Sequence, residues 1–198
     1  MNYMEDVVSY FDEVAPIWDE AVVRNAAKLR RIMTIAGVRP GDEVLDAGSG
    51  TGVLVPYIRE KNSDGLITEM DVSPKMLNMA RAKYHNDSRI RYLNEDIEKY
   101  SEGKEYDRIL LYGILPHLAD KAGTIVRLFR SNLKGNGSIL VSHPYGRDKI
   151  NLLHSHGDRR VADAFLPPMK ELVSECRKNG LNVAFSEDTE QDYTLLFK

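Results

Sequence analysis

The chain has 198 residues, of which 42% are hydrophobic and 29% are charged, and its formal net charge is −3. This length suits one domain with a sizeable core, and the slightly acidic balance argues against the broad basic surface that nucleic-acid binding usually requires. A single cysteine, Cys176, excludes a disulfide framework and a cysteine-built zinc site, and we expect it to fill part of the core. No apolar run approaches ~18 residues and no secretion signal opens the chain, so we expect a cytoplasmic protein without membrane spans.

The first 36 residues are helical in pattern. Apolar residues recur at intervals of four, three, four and three from Val22 to Ala36, which predicts one continuous helix face. Gly37 and the Pro40–Gly41 pair are expected to end this helix.

From residue 43 onward, short apolar runs alternate with helical periodicity. The predicted strands cover residues 43–47, 65–70, 90–94, 106–113, 137–143, 181–188 and 191–198. The predicted helices between them cover residues 53–61, 73–84, 120–133 and 165–180, and Ser73 and Pro74 suit the start of the second. This alternation predicts a doubly wound α/β fold, with a mostly parallel seven-stranded sheet and helices on both faces. The last two strands are joined by too few residues for a parallel crossover, so we expect a C-terminal antiparallel hairpin.

A glycine-rich turn, VLDAGSGTG at residues 44–52, follows the first predicted strand. Its glycines at 48, 50 and 52 have the spacing G-x-G-x-G, whereas the dinucleotide fingerprint requires G-x-G-x-x-G, and no Gly-Lys-Ser/Thr of a phosphate-binding loop follows. Gly48 and Gly50 would let a ligand lie against bare backbone, where a Cβ would collide or forbid the required φ. The pattern therefore predicts close backbone approach by a ligand other than a nicotinamide dinucleotide.

Acidic residues stand at the ends of the first three predicted strands. Asp46 precedes the glycine turn, Asp71 follows the second strand, and Asp96 follows the third. Each alone is more often a helix cap or a turn residue, but ligands of such sheets bind outside the carboxyl ends of the strands. A carboxylate at 71 can accept both hydroxyls of a ribose, and one at 96 can reach an adenine edge. Together they predict a site shaped for adenosine.

These motifs resemble those of class I S-adenosylmethionine-dependent methyltransferases, which have a Rossmann-like fold. VLDAGSGTG is similar to their first motif, TEMDVSPKMLNMAR to the segment with the ribose-binding acid, and LNEDIEKY to the adenine-contacting segment. YDRILLYGILPHLAD and LKGNGSILVSHP resemble the fourth-strand motif and the approach to the fifth strand. The resemblance runs from about residue 36 to 145. It implies one methyltransferase domain over 1–198, with a helical lid at 1–36, a cofactor core at 37–145 and an acceptor-side insertion, last helix and hairpin at 146–198.

The resemblance implies S-adenosylmethionine as cofactor and S-adenosylhomocysteine as product. At the methionine end it implies that Gly48 and Gly50 flank the ligand, with Ser49 between them, and that Asp46 holds the amino group directly or through water. The backbone at Tyr112–Gly113 is expected to complete these contacts.

At the other end the resemblance implies four nucleoside contacts. Asp71 would take the ribose hydroxyls and Val72 would pack on the adenine. Asp96 would accept a hydrogen bond from the adenine amino group, and the Ile97 backbone N–H would donate to the ring.

The candidate catalytic residues are His117, Tyr112 and His143, with Tyr145 as a further acceptor-side candidate. For each of them a packed or solvated residue is the commoner interpretation; His117 is the best single candidate for a general base. The family pattern has a histidine pair where this chain reads Pro116–His117, and the turn at 134–137 also departs from it, so the acceptor chemistry stays open. A His-x-His pair at 154 and 156, expected in a loop, lacks a third ligand, and no metal site is expected.

We expect a small-molecule methyl acceptor, with no nucleic acid and no membrane as partner, and residues 144–167 as its variable wall. Tyr10, Phe11 and Trp18 resemble a lid over the site, although they could equally fix a helix to the core. Two alternatives stay open: methylation of a protein or RNA, and a non-catalytic binding module. A basic cluster is the only support for the first, and a solvated helix face is its simpler interpretation; it comprises Arg24, Lys28, Arg30 and Arg31.

Overall fold

A computed structural model of the protein describes residues 3–22, 24–100, 103 and 106–198. Seven strands form one sheet in the order β3-β2-β1-β4-β5-β7-β6. The strands are β1 Val44–Ala47, β2 Ile67–Met70, β3 Ile90–Leu93, β4 Tyr106–Tyr112, β5 Leu133–Ser142, β6 Val183–Asp188 and β7 Tyr193–Phe197. The first five are parallel, and β7 is antiparallel to both β5 and β6. The predicted fold class is confirmed.

Eight α-helices flank or cap this sheet in the described ranges. They are α1 Tyr3–Val14, α2 Trp18–Ala21, α3 Ala26–Ala36, α4 Val55–Lys61, α5 Pro74–Lys83, α6 Lys121–Ser131, α7 Arg147–Ser155 and α8 Met169–Lys178. Short 3₁₀ helices lie at Ala15–Ile17 and Leu115–His117. No helix in these ranges is long and apolar enough to cross a membrane.

The central strands are buried because helices cover both faces of the sheet. All four residues of β1 and all four of β2 are buried. On one face the sheet packs against Leu29 and Ile32 of α3 and Ile58 of α4, and on the other against helices α6 and α8. Cys176 of α8 is fully buried in the second layer, which confirms its expected place in the core.

Side-chain caps set the helix starts that matter for the site. The Ser73 side chain accepts a hydrogen bond from the Met76 N–H, and Pro74 occupies the first turn, so the predicted start of α5 is confirmed. α6 begins in the same way, since the Asp120 side chain accepts from the Gly123 N–H. These caps hold the helix N-termini at the carboxyl edge of the sheet.

The expectation of one continuous N-terminal helix through Val22 is wrong. α2 ends at Ala21, Val22 is extended with ψ 124°, and α3 begins only at Ala26. The physical reason is local: the Asn25 side chain accepts a hydrogen bond from the Lys28 N–H, so it caps a new helix start. The predicted end holds, because Gly37 adopts φ 72°, where glycine carries no Cβ penalty.

Arg24, Arg30 and Arg31 of the basic cluster are exposed, as the solvated-face interpretation expects, and each of the four cations is paired with an acid. Arg24 pairs with Asp19, Arg30 with Glu60, and Lys28 and Arg31 both pair with Asp192. Lys28 is itself buried, which no local sequence pattern indicated. Because these charges are neutralised within the chain, the cluster presents little surface for a nucleic acid.

Two further boundaries differ from the prediction. β5 begins at Leu133 rather than 137, because Leu133 pairs with Tyr106 before a register shift in the β4–β5 ladder. Residues 144–167 contain a nine-residue helix, α7, so His154 lies on a helix and His156 directly follows it, rather than in a loop. The only side chain that α7 buries is Ile150, and this weak periodicity explains why it escaped prediction.

The packing of α3 against the sheet should dominate its contribution to stability. We expect Ile32→Ala to lower the free energy of unfolding by about 2–5 kcal/mol, because the fully buried side chain leaves a cavity. Urea unfolding followed by circular dichroism measures this as a lower midpoint at unchanged slope. Thr34→Ala, on the exposed side of α3, is the matched control; an equal loss in both variants would contradict the packing.

Candidate functional site

A cavity of about 400 Å³ opens at the carboxyl ends of the parallel strands, under the N-terminal segment. Its walls come from the glycine turn after β1, the ends of β2, β4 and β5, the loop after β3, and helices α1, α2 and α7. Most of the expected site residues line it: Gly48, Ser49, Gly50, Asp71, Val72, Asp96, Ile97, Tyr112, Gly113, His117 and His143. Asp46 is the expected residue that does not line it.

The glycine turn is tied to the neighbouring strand by its own backbone. The N–H groups of Gly48 and Ser49 donate to the Met70 carbonyl at 2.8 and 3.0 Å. Gly48 and Gly50 have φ of 70° and 56°, a region that L side chains rarely adopt. A Cβ at Gly48 would also lie 2.5 Å from Cδ1 of Ile114. Conformation and space both require glycine at 48, as the sequence predicted.

Asp71 is held by backbone donors from two directions. Its Oδ2 accepts from the Gly50 N–H at 2.8 Å, and its Oδ1 accepts from the Ser73 N–H at 2.8 Å. Burial raises the pKa of Asp71 to about 6, and the Ser73 and Gly50 N–H groups oppose that rise. Each carboxylate oxygen keeps further acceptor capacity toward the cavity. Asp71 therefore links the glycine turn to the start of α5, and it can also contact a ligand.

A buried acid that the sequence analysis missed lies beside Asp46. Glu69 is its register partner on β2, and both side chains are almost fully buried. Burial and, secondarily, the charge of Asp71 raise the pKa of Asp46 to about 8; burial and the charge of Asp46 hold the pKa of Glu69 well above its usual value. Oδ2 of Asp46 has no hydrogen-bond partner within the described ranges. The sequence signal that could have revealed it is an acidic residue in the middle of the predicted buried strand ITEM.

The opposite end of the cavity is formed by the loop after β3. Asp96 accepts from the Glu98 N–H at 2.9 Å and pairs with Lys99 at 3.0 Å, so its carboxylate is already oriented. Val72 and the buried Ile97 supply apolar surface next to it. This end can receive a flat, apolar group with polar edges, as an adenine would require.

At the end of β4 the backbone turns sharply toward the cavity. Gly113 adopts φ 78°, and its N–H donates to the Ser142 carbonyl at 2.9 Å. Burial, with a smaller contribution from the charge of Asp192, raises the pKa of the Tyr112 phenol, so its hydroxyl stays protonated near neutral pH. Tyr112 can thus donate a hydrogen bond but is a poor base.

Three histidines gather at the acceptor side. His117 stands 5.1 Å from the Phe11 ring and 5.0 Å from the His154 ring, centroid to centroid. Burial, followed by the neighbouring His154, lowers the pKa of His117 to about 3. His143 packs on Tyr193, and burial drives its pKa well below the ordinary value. His154 also lines the cavity and was not expected to; only its long-range packing reveals it.

The N-terminal segment covers the cavity and is fastened by polar contacts. Phe11 and Trp18 line the cavity, whereas Tyr10 stacks under Arg160 and does not. Asp12 accepts from the Ser73 hydroxyl at 2.6 Å, and Asp19 pairs with Lys83 at 2.8 Å. Two of the three aromatics expected over the site are therefore there. No group of three metal-ligating side chains occurs in the described part of the chain.

Comparison with known proteins finds the family described as "Methyltransferase domain" over residues 44–137. The chain is 30% identical over 112 residues to a malonyl-[acyl-carrier protein] O-methyltransferase of Acetivibrio thermocellus, covering 57% of this chain and 38% of that protein. It is 30% identical over 148 residues to the ubiquinone/menaquinone biosynthesis C-methyltransferase UbiE of Vibrio campbellii, covering 70% and 54%. The chain thus spans less than two thirds of the length of these curated relatives.

Among solved structures, the magnesium protoporphyrin IX methyltransferase ChlM of Synechocystis PCC 6803 with bound SAM superposes with a TM-score of 0.72 at 16% identity. The match covers all of this chain and 97% of that one. At such low identity the similarity concerns the fold.

The buried acids should make stability fall as pH rises above neutrality. Asp46 has a folded pKa of about 8 against 3.8 in its ordinary state, so between these values the folded protein binds more protons than the unfolded one. The free energy of unfolding should therefore drop by about 1–2 kcal/mol between pH 6.5 and 8. His117 and His143, whose folded pKa values lie below their ordinary 6.5, act with the opposite sign and offset part of this drop at the lower edge of the window, where the unfolded histidines are still partly protonated.

Urea titrations at several pH values measure this slope. Asp46→Asn should flatten it, whereas Asp148→Asn, on the exposed start of α7, should leave it unchanged. A wild-type stability that stays constant or rises from pH 6.5 to 8 would contradict the raised pKa values.

Proposed function

Since the chain belongs to the class I S-adenosylmethionine-dependent methyltransferases by sequence and fold, we propose that it transfers a methyl group from S-adenosylmethionine to a small-molecule acceptor. The observation that carries the proposal is the cavity at the strand ends, where the glycine turn and Asp71 meet. Ligands of doubly wound sheets bind at this edge.

The residues present fit the cofactor at its methionine end. Gly48 and Gly50 offer backbone at a place where a Cβ would be strained, so a ligand can lie directly against the turn. The buried Oδ2 of Asp46 has no partner among the described residues, and such an atom is costly unless it meets a donor. We assign Asp46 to the cofactor's ammonium group through an intervening water, because its side chain lies beneath the cavity wall. Ser49 and the Tyr112–Gly113 backbone would complete this end.

The nucleoside end fits as well. We assign the ribose hydroxyls to Asp71, whose two oxygens are already oriented by backbone donors. Val72 and Ile97 provide the apolar slot for the adenine, with the Asp96 carboxylate and the Ile97 N–H at its polar edge.

The remaining work of the protein is positioning. Bound S-adenosylmethionine supplies an activated methyl group and is left as S-adenosylhomocysteine. The chain must hold the acceptor atom in line and exclude water, and alignment of this kind can contribute roughly 7–11 kcal/mol at its ideal limit. Phe11 and Trp18, on α1 and α2, are proposed to act as a lid over the cavity, whereas α3, the remainder of the lid expected over 1–36, packs against a face of the sheet instead. His117, His143 and Tyr112 are the side chains proposed to contact the acceptor.

The name of one relative, from quinone biosynthesis, favours a small acceptor. The other relative is named for a malonyl group that is attached to an acyl-carrier protein. The basic cluster, on which a protein or RNA acceptor would depend, is paired within the chain. A non-catalytic binding module would need the same cofactor residues, and only the search for a methylated product separates it from an enzyme.

The cytoplasmic location stays a prediction.

The cofactor assignment is tested by thermal stability. S-adenosylhomocysteine at 100 times its dissociation constant should stabilise the native state by about 2.7 kcal/mol, because it binds only the folded protein. Differential scanning fluorimetry would record this as a higher melting temperature. NAD is the control and should have no effect; stabilisation by NAD without stabilisation by S-adenosylhomocysteine would contradict the proposal.

The role of Asp71 is tested by Asp71→Asn. The amide keeps the shape but loses the charge, so affinity for S-adenosylhomocysteine should fall roughly 10- to 100-fold. Isothermal titration calorimetry measures the change, with Asp148→Asn as a control of equal charge change at an exposed residue that does not line the cavity. Wild-type affinity in a folded Asp71→Asn protein would remove the ribose contact from this residue.

A further inference from the structure

No charged side chain of the described ranges lines the acceptor side of the cavity; the Lys149 ammonium, 3.5 Å from the centre of the Tyr145 ring, belongs to an exposed residue outside the lining. Of the described residues that line the cavity none is Lys or Arg, and the carboxylates among them, Asp71, Glu95 and Asp96, lie at the cofactor end. An acceptor with a free carboxylate or phosphate would be buried there without a cationic partner, which is costly. An ammonium acceptor would likewise lack a counter-charge beside the histidines. Resting on the proposed methyl transfer, this favours an uncharged acceptor.

His154 has a fixed tautomer. Its Nδ1 lies 2.5 Å from the Ala164 carbonyl oxygen, and a carbonyl can only accept, so Nδ1 carries the proton. Neutral imidazole then presents a lone pair on Nε2. The ring lines the cavity, and within the described ranges Nε2 makes no protein hydrogen bond. The residue is therefore a preoriented hydrogen-bond acceptor on the acceptor side.

His117 is a poorer base than its neighbour. Its pKa is about 3, lowered by burial and then by the facing His154 and by Lys121, so an imidazolium there is strongly disfavoured. The pKa of His154 is lowered by burial, and the bond to Ala164 counteracts this. His154 is also only partly buried, so a proton taken by its Nε2 can pass to water. The titratable groups facing His154 from the packed elements are His117 and His143, both uncharged.

The walls favour an aromatic acceptor. The Phe11 and His117 rings meet edge to face, and the Tyr145 ring lines the same part of the cavity. Planar groups pack well against such rings. An aromatic hydroxyl has a pKa near that of tyrosine, about 10, which a neutral imidazole can deprotonate as bonding to carbon develops.

We propose that the methyl acceptor is an uncharged aromatic molecule whose reacting group is a hydroxyl, and that Nε2 of His154 accepts the hydroxyl proton. The O–H bond breaks toward Nε2 while its electron pair forms the new O–CH₃ bond, and the pair of the S–CH₃ bond returns to sulfur. The imidazolium that results releases its proton to water. His117 acts as a positioning residue that holds the aromatic ring.

Binding of three probes with one ring system tests the acceptor class. On protein saturated with S-adenosylhomocysteine, 2-naphthol should bind about tenfold or more tightly than 2-naphthoate and 2-naphthylmethylamine, because only naphthol enters without an unpaired charge. Titration calorimetry measures the three dissociation constants. Tighter binding of the carboxylate or the amine than of naphthol would overturn the acceptor class.

Substitution tests the residue. His154→Leu and His154→Gln should each weaken naphthol binding, the leucine variant about tenfold, since the imidazole acceptor is removed. His156→Leu is the matched control, because His156 also bonds a backbone carbonyl, that of Leu152, but is exposed and does not line the cavity. Retained affinity for S-adenosylhomocysteine shows that each variant is folded. Wild-type naphthol affinity in both His154 variants would overturn the role of His154.

Nitrogen NMR of the histidine rings gives a readout that packing alone would not move. His154 should show the Nδ1–H tautomer, and 2-naphthol should shift its Nε2 resonance while leaving that of His156 in place. An Nε2–H tautomer would overturn the proposal. If S-adenosylhomocysteine fails to bind the wild type, the cofactor assignment and this inference fall together; if it binds but naphthol leaves the His154 resonance unchanged, only this inference falls.

Discussion

The hydrogen bond from the Gly50 N–H to the Asp71 carboxylate is the contact around which the site is arranged. It joins the turn after β1 to the end of β2, and two further N–H groups of the same turn donate to Met70. Through its other oxygen, Asp71 also accepts from Ser73, which starts α5. One carboxylate therefore holds a turn, a strand end and a helix N-terminus together. Charge-assisted hydrogen bonds of this kind are stronger than neutral ones. The backbone that presents the N–H to Asp71 has a positive φ at residue 50, which favours glycine there.

Burial gives the two ends of the cavity different electrostatic characters. Beneath the glycine turn it raises the pKa of Asp46 and Glu69, so that these acids gain from a nearby cation. On the acceptor side it lowers the pKa of His117 and His143, so that their rings stay uncharged. One physical effect thus prepares one end for a cationic group and the other for a neutral molecule.

The N-terminal segment converts an open strand edge into an enclosed site. Asp12 and Asp19 reach the cap of α5 and Lys83 near its end, so the segment is fastened at two points along one helix. Phe11 and Trp18 are carried over the cavity between them. The fold without this segment would leave the glycine turn exposed to water, which weakens electrostatic contacts within a site.

The sequence by itself determined the sheet, the glycine turn, the cap at Ser73 and the acids at the strand ends, because periodicity, φ preference and capping are local properties. It failed at Val22, where a cap at Asn25 restarts the helix, and at α7, whose buried face is a single isoleucine. The assigned roles of the site residues stay predictions. Only the tertiary structure decided that Lys28 is buried against Asp192, that Glu69 lies beside Asp46, and that His154 meets both His117 and Ala164. These contacts join residues far apart in the chain, and burial, which sets their ionisation, exists only once the layers have packed.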